Sequence, residues 1–239
     1  MSHIYPLLLT ATIQPHSSKQ LVLLDPEKRY KQYIDNLLRF VFESNFTEFV
    51  FCENSMYDLQ HIYTIKQLAE NIGKKVEILQ FAGDAAKTEH FTRAYGDQEI
   101  MEYAIHHSEL INNAQWFYKV TGRYWITNIN TILKAWGDKK TVFIRGWLCK
   151  KTVHTAFFKS SVPYFYNHFE GKAEQLKKFS NSLEYLYYHY IEQSGIKMSI
   201  AGVHPDFIAE RWSWGRIDQS RRMKIKTIVF AKLWVYNLN

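Results

Sequence analysis

Apolar and polar positions along this chain fall into short blocks whose periods predict strands and helices in turn. Tyr5-Pro6-Leu7-Leu8-Leu9-Thr10-Ala11-Thr12 is a continuous apolar run of strand length, the pattern of a strand buried on both faces. A polar loop, Ile13 to Ser18, follows it. Asp25 then precedes Pro26, as at a capped helix start, and Tyr30, Tyr33, Ile34, Leu37, Leu38, Val41 and Phe42 recur at the helical period through about Glu43. A second strand, Glu48 to Cys52, runs into Glu53-Asn54-Ser55. A second helix is expected from about Asp58 to Asn71, stopped by Gly73. Val76 to Phe81 reads as a third strand. Strand, helix, strand, helix, strand predicts an α/β fold with a mostly parallel sheet flanked by helices.

Beyond Phe81 the pattern predicts a polar loop, Ala82 to Thr92, and then a glycine turn at Tyr95-Gly96 that feeds a helix carrying Ile100, Met101, Tyr103 and Ala104. Phe117 to Trp125 is aromatic and β-rich. Its centre, Lys119-Val120-Thr121-Gly122-Arg123, reads as a polar turn with two cations beside a glycine. Such a turn suits an anion, because Lys offers a point charge, Arg a two-pronged donor and Gly close approach; a solvated hairpin turn is the plainer alternative. Thr141 to Trp147 is expected to be a strand. Thr155 to Lys159 and Val162 to Tyr166 are expected to be strand-like aromatic segments lining a cleft. Leu176 to Gln193 is expected to be one helix, with Leu183, Leu186, Tyr187 and Tyr190 on one face. From Ala209 onward, Trp212, Trp214 and several Lys and Arg residues alternate with apolar ones, which suits either an anionic membrane surface or packing on the core.

The length of 239 residues suits one continuous domain with two halves, 1-135 and 136-239. Apolar residues make up 46%, enough for a core, and aromatics 16%, enough to line a cleft for sugars or bases as well. The net charge of +7 favours anionic partners: nucleotide phosphates, nucleic acid or a membrane surface. Cys52 and Cys149 stand far apart without a C-x-x-C partner, so a reducing compartment is expected, with no disulfide framework and no structural zinc. No signal-like opening and no apolar run of about 18 residues occurs. Neither G-x-G-x-x-G nor G-x-x-x-x-G-K-[ST] is present, which argues against a dinucleotide site and a P-loop. In a parallel α/β sheet, ligands bind outside the carboxyl ends of the strands, here Thr10-Ala11-Thr12, Glu53-Asn54-Ser55 and the loop after Phe81.

The order of these parts resembles the nucleotide-sugar glycosyltransferases of the GT-A fold, and more narrowly the bacterial enzymes that build capsule and lipopolysaccharide chains. Thr10-Ala11-Thr12, Glu53-Asn54-Ser55, Tyr95-Gly96-Asp97-Gln98-Glu99 and Phe117 to Tyr124 carry the resemblance, over about residues 4 to 135. It implies a donor site in which Glu53, beside Asn54, contacts the base or ribose, with Thr10 and Thr12 against the nucleotide. The helix after Tyr95 and Gly96 packs beside the donor, with Glu99 near the sugar. Glu184 resembles the general base, and Asp206 is a second candidate. The Asp-x-Asp that usually holds a divalent metal is absent; Thr121-Gly122-Arg123 and Asn128-Ile129-Asn130 stand in that region. Neutral amides are poor ligands for Mg²⁺ or Mn²⁺. Lys119 and Arg123 are therefore expected to offset the charge on the leaving diphosphate, making transfer metal-independent, with Mg²⁺ or Mn²⁺ a weaker option.

The resulting expectation is a hexosyltransferase that takes a nucleotide-diphosphate sugar, UDP-sugar favoured, and extends a lipid-linked surface glycan. It would work in the cytoplasm, peripheral to the inner membrane through its basic tail, without nucleic acid as partner. A sugar-phosphate nucleotidyltransferase ranks lower, because the loop after the first strand has no glycine. A basic nucleic-acid-binding module or a scaffold without catalysis remains the alternative from a different class.

Overall fold

The computed structural model describes residues 4–15, 23–145, 151–195, 198–199, 203–208 and 235–238. The first helix begins as its residues require. Asp25 is extended, its carboxylate accepts from the backbone N–H groups of Glu27 and Lys28, and Pro26 opens the first turn of α1 (Pro26–Glu43). Its buried stripe is Arg29, Tyr30, Tyr33, Asn36, Leu37, Phe40 and Val41. The preceding strand, β1 (Leu7–Ala11), is buried at every position, so both of its faces must be covered. Leu7, Leu9 and Ala11 join one core with α1 residues. Leu8 joins a second core with Val50, Cys52 and Phe117. The sheet therefore lies between two helical layers.

The chain continues through β2 (Glu48–Glu53), α2 (Gln60–Asn71) and β3 (Lys75–Gln80), with α2 followed by Gly73 at φ +75°. α3 (Ala85–Phe91), α4 (Arg93–His107) and α5 (Glu109–Ala114) lead to β4 (Trp116–Thr121). Next come β5 (Trp125–Ile126), α6 (Ile129–Ala135), β6 (Thr141–Arg145), β7 (Val153–Ser161) and α7 (Val162–His168). A 3₁₀ helix (Ala173–Phe179), α8 (Leu183–Gln193), β8 (Met198–Ser199), β9 (Phe207–Ile208) and β10 (Val235–Leu238) complete the described elements. The main sheet has the order β3-β2-β1-β4-β7-β6-β10-β8, and β5 pairs separately with β9. β3, β2, β1 and β4 are parallel neighbours. β7 runs antiparallel between β4 and β6, and β10 is antiparallel to β6 and β8. The fold is thus α/β with a mixed sheet flanked by helices, compatible with a Rossmann-like arrangement, rather than the mostly parallel sheet expected. The hairpin-like returns after residue 135 supply the antiparallel half.

Several local expectations need correction. The segment Ala82 to Thr92 holds α3, which Asp84 caps by accepting from the Lys87 N–H. Gly96 is not a turn residue but lies inside α4. Lys119, Val120 and Thr121 belong to buried β4, and the turn starts only at Gly122. Val162 to Tyr166 is helical, because Ser161 caps α7 and Pro163 sits in its first turn. Leu176 to Gln193 is broken where Ser180 and Asn181 both take left-handed backbone at φ 54°. The basic tail from Ala209 and Cys149 fall outside the described residues, apart from β10. Among the described residues no helix is long and apolar enough to cross a membrane.

Candidate active site

β1 and β4 are neighbours in the sheet, but the chain leaves β1 towards β2 on one side and reaches β4 from the other. Helices that follow such strands pack on opposite faces and leave a crevice at the carboxyl ends where the winding reverses. A cleft of about 240 Å³ opens at this point. Its floor is the end of β1 and β4: Thr10, Ala11, Thr12, Thr121 and Arg123. α1 contributes Arg29 and Tyr33, and α4 contributes Arg93, Gly96, Asp97 and Ile100. Because β7 is antiparallel to β4, its first residues, His154, Thr155 and Ala156, arrive at the same end, beside Glu184 of α8.

Hydrogen bonds lock the floor. The Thr12 hydroxyl donates to Asn54 Oδ1 at 2.7 Å, and the Asn54 N–H donates to the Ala11 carbonyl at 3.2 Å. The Thr12 N–H donates to the Tyr33 hydroxyl at 3.1 Å. Arg29 is 4% exposed; its Nε and Nη2 donate to the Thr12 carbonyl and its Nη1 to that of Leu23. Burial holds the Arg29 guanidinium below its ordinary pKa; Arg123 adds to this, while Tyr33 and Asp97 oppose it.

Arg123 differs from Arg29. It is 9% exposed, and its Nε is buried with no hydrogen-bond partner among the described residues. Neither arginine belongs to an ion pair there. The cleft thus carries Arg29, Arg93 and Arg123 against two carboxylates, Asp97 and Glu184. A buried cation without an anion is costly, so this arrangement suits an anionic ligand.

Of the residues singled out in the sequence, the fold brings Thr10, Thr12, Asn54, Gly96, Thr121, Arg123 and Glu184 to the cleft. Glu53 is elsewhere: fully buried, its carboxylate accepts from the N–H groups of Ile13, Ser55 and Tyr57, from the Ser55 hydroxyl and from Gln80 Nε2. Those bonds fix the loops after β1 and β2 rather than a ligand. Glu99 accepts from the Asp84 N–H at 2.9 Å and ties α4 to the loop after β3. Tyr95 stacks on Phe91 at 5.7 Å, away from the cleft wall. Gly122 lies beneath the floor, where its N–H donates to the Thr10 carbonyl at 3.0 Å. Asp206 joins the β5–β9 corner, where its N–H donates to Asn128 Oδ1 and its carbonyl accepts from Thr127.

Lys119 is also outside the cleft wall. The residue is 4% exposed, and its ammonium donates to Thr121 Oγ1 at 2.9 Å and to the Thr155 carbonyl at 2.7 Å. Burial depresses its pKa to about 8, against the pull of Asp97 and Glu184. It stitches β4 to β7 from behind. Glu184, in the first turn of α8, accepts from the Ser182 hydroxyl at 2.6 Å and from the Thr155 hydroxyl at 3.4 Å.

Sequence reasoning passed over Arg29, Tyr33 and Asp97. The signal for Arg29 was available: it sits four residues before Tyr33 and eight before Leu37, a cation on the helix stripe that must be buried. Asp97 directly follows the helix-interior Gly96 and carried no comparable signal.

No family model matches the chain and no curated protein matches it. Among solved structures, HddC from Yersinia pseudotuberculosis is similar with a TM-score of 0.36 and 9% identity, over 70% of this chain and 81% of that one. At that level of similarity, the reading of the cleft rests on its own residues.

Proposed function

We propose that this chain is a glycosyltransferase that takes a hexose from a nucleotide-diphosphate sugar, with a UDP-sugar favoured, and passes it to a saccharide hydroxyl. The observation that carries the reading is the cleft itself. It lies at the carboxyl ends of β1 and β4 where the winding reverses, and it holds two buried arginines, Arg29 and Arg123, that have no ion pair among the described residues. A nucleotide-diphosphate supplies both a flat base for the Thr12–Asn54 side and two phosphates for the arginines. The resemblance to the capsule and lipopolysaccharide transferases implies a growing surface glycan as acceptor.

In the reaction, the acceptor oxygen bonds to the anomeric carbon while the bond from that carbon to the diphosphate oxygen breaks. The electron pair of the broken bond stays on the departing nucleoside diphosphate. The acceptor proton needs a base at the cleft. Glu184 fills that role on this reading, held by Ser182 and Thr155, with Asp97 the other carboxylate on the wall.

A thermal-shift screen of UDP, GDP, CMP and dTDP tests the reading. Ligand at 100 times its Kd stabilises by about 2.7 kcal/mol, or roughly 5–10 °C for a domain of this size. One nucleoside diphosphate is expected to give that shift, and its sugar conjugate to be slowly hydrolysed. No shift with any nucleotide, alongside a salt-dependent shift with single-stranded oligonucleotide, would replace it with the nucleic-acid reading.

A further inference from the structure

We infer that Arg123 and Arg29 bind the donor's diphosphate directly, doing the work that a divalent cation does in transferases built on Asp-x-Asp. The inference rests on the donor reading above and specifies how the phosphates are held.

The described residues do not build a metal site of their own. Among the described residues no group of three or more His, Cys, Asp or Glu side chains could hold one. The segment that replaces Asp-x-Asp is committed elsewhere. Asn128 Nδ2 donates to the His204 carbonyl and its Oδ1 accepts from Asp206. Asn130 Oδ1 accepts from the Asn45 N–H and its Nδ2 donates to the Glu43 carbonyl. Both amides are thus engaged in tying α6 to neighbouring backbone.

The arginines fit an anion instead. Three donor atoms of Arg29 are bonded to carbonyls, which fixes the plane of its guanidinium at the cleft wall. Arg123 is buried on the same wall with its Nε unbonded. Arg123 repels the Arg29 guanidinium, and with no ion pair to either among the described residues they leave a positive field that an oxyanion relieves. Planar N–H forks match phosphate oxygens in pairs. Thr121 adds a neutral donor. Its oxygen accepts from the Lys119 ammonium, which leaves its own proton to donate to a ligand in the cleft that Thr121 lines. Lys119 therefore acts by orienting Thr121 and does not touch the phosphate. At the transition state the same groups meet the charge that builds on the leaving diphosphate.

Titration calorimetry in EDTA tests this with the nucleoside diphosphate from the screen, inorganic pyrophosphate and the unphosphorylated nucleoside. The wild-type protein is expected to bind the diphosphate and pyrophosphate in EDTA, with Kd changed less than threefold by Mg²⁺ or Mn²⁺. R123Q is expected to weaken both at least tenfold while leaving the nucleoside unchanged. R123K, which keeps the charge but not the fork, is expected to fall between. Unliganded R123Q is expected to melt no lower than wild type, since it removes an unpaired buried cation; a cooperative melt also shows that the variant is folded. Diphosphate binding that needs metal, or that R123Q leaves intact, would overturn the clamp and leave the transferase reading standing. Failure of every nucleotide and of pyrophosphate to bind wild-type protein would overturn both.

Discussion

The ring of Tyr33 occupies the space that a side chain at Gly122 would need: a Cβ there would lie 2.9 Å from Tyr33 Cδ1 and 3.2 Å from the Thr10 carbonyl oxygen. Tyr33 cannot swing aside cheaply, because it is 2% exposed and its hydroxyl accepts from the Thr12 N–H and donates to the Thr12 carbonyl. Arg29 bonds that same carbonyl. Any displacement at residue 122 is therefore passed to the cleft floor. Gly122→Ala is expected to cost about 1–3 kcal/mol by overpacking, and to weaken nucleotide binding as Arg29 and Arg123 move. A double-mutant cycle with Tyr33→Leu, followed by urea unfolding, should show a favourable coupling of about 0.5 kcal/mol or more. Additive losses would mean that the two residues do not compete for this space.

Glu53 offers a second test, of structure rather than chemistry. Its two carboxylate oxygens accept from five donors on three segments. Glu53→Gln replaces one acceptor by a donor that then faces N–H groups. Hydrogen bonds to a charged group are each worth about 1.5–3 kcal/mol, so a net loss of roughly 3 kcal/mol is expected, or roughly 6–12 °C in Tm. If instead the melt is unchanged while nucleotide affinity collapses, Glu53 contacts the ligand as the sequence suggested.

Much of the first half of the fold is legible in the sequence because period and punctuation agree there. The Leu7 to Ala11 run, the Asp25–Pro26 start and the stop at Gly73 each express one local rule. The site is less legible, because its residues meet through topology. β7 reaches the cleft only by pairing antiparallel to β4, which no local period encodes; the aromatic pattern marked Thr155 to Lys159 as cleft-lining, and of these Thr155 and Ala156 reach this cleft, but His154 carried no signal. Glu53 and Lys119 show the limit of strand-end reasoning. Glu53 ends β2 and Lys119 lies within β4, and in the fold each hydrogen-bonds neighbouring protein groups outside the cleft wall. The break at Ser180 and Asn181 lacks the glycine or proline that usually marks one.

Lys159 makes a pH prediction at the other end of the sheet. It is fully buried, donates to the Gly137 carbonyl at 2.6 Å, and lies 4.8, 5.6 and 5.2 Å from the ring centres of Tyr5, Trp116 and Tyr118. Burial lowers its pKa to about 8, from an ordinary value of 10.5. Between these values the unfolded chain holds the proton that the folded chain has released. Stability from this residue therefore rises with pH across that window. Comparing wild type with Lys159→Met in urea at pH 7 and pH 9.5, the difference should move in favour of wild type by about 2 kcal/mol. A pH-independent difference would mean that Lys159 keeps its ordinary pKa in the fold.

Glu184 separates binding from chemistry. It sits in the first turn of α8, where Ser182 caps the helix by accepting from the Tyr185 N–H and also donates to Glu184. Glutamine at this position accepts from one of the two hydroxyls through its oxygen and donates through its amide nitrogen to the other, which turns to accept, so fold and donor affinity should survive. As the group that receives the acceptor proton, a carboxylate contributes about 10²–10⁴ to the rate. Glu184→Gln is therefore expected to lower kcat by at least about 100-fold with the donor Kd nearly unchanged, and Glu184→Asp to recover part of the loss. Asp97 is the control, since it is the other carboxylate on the cleft wall. Should Asp97→Asn abolish turnover while Glu184→Gln leaves it intact, the base is on α4. Glu184 would then serve only to hold Thr155 and the start of α8.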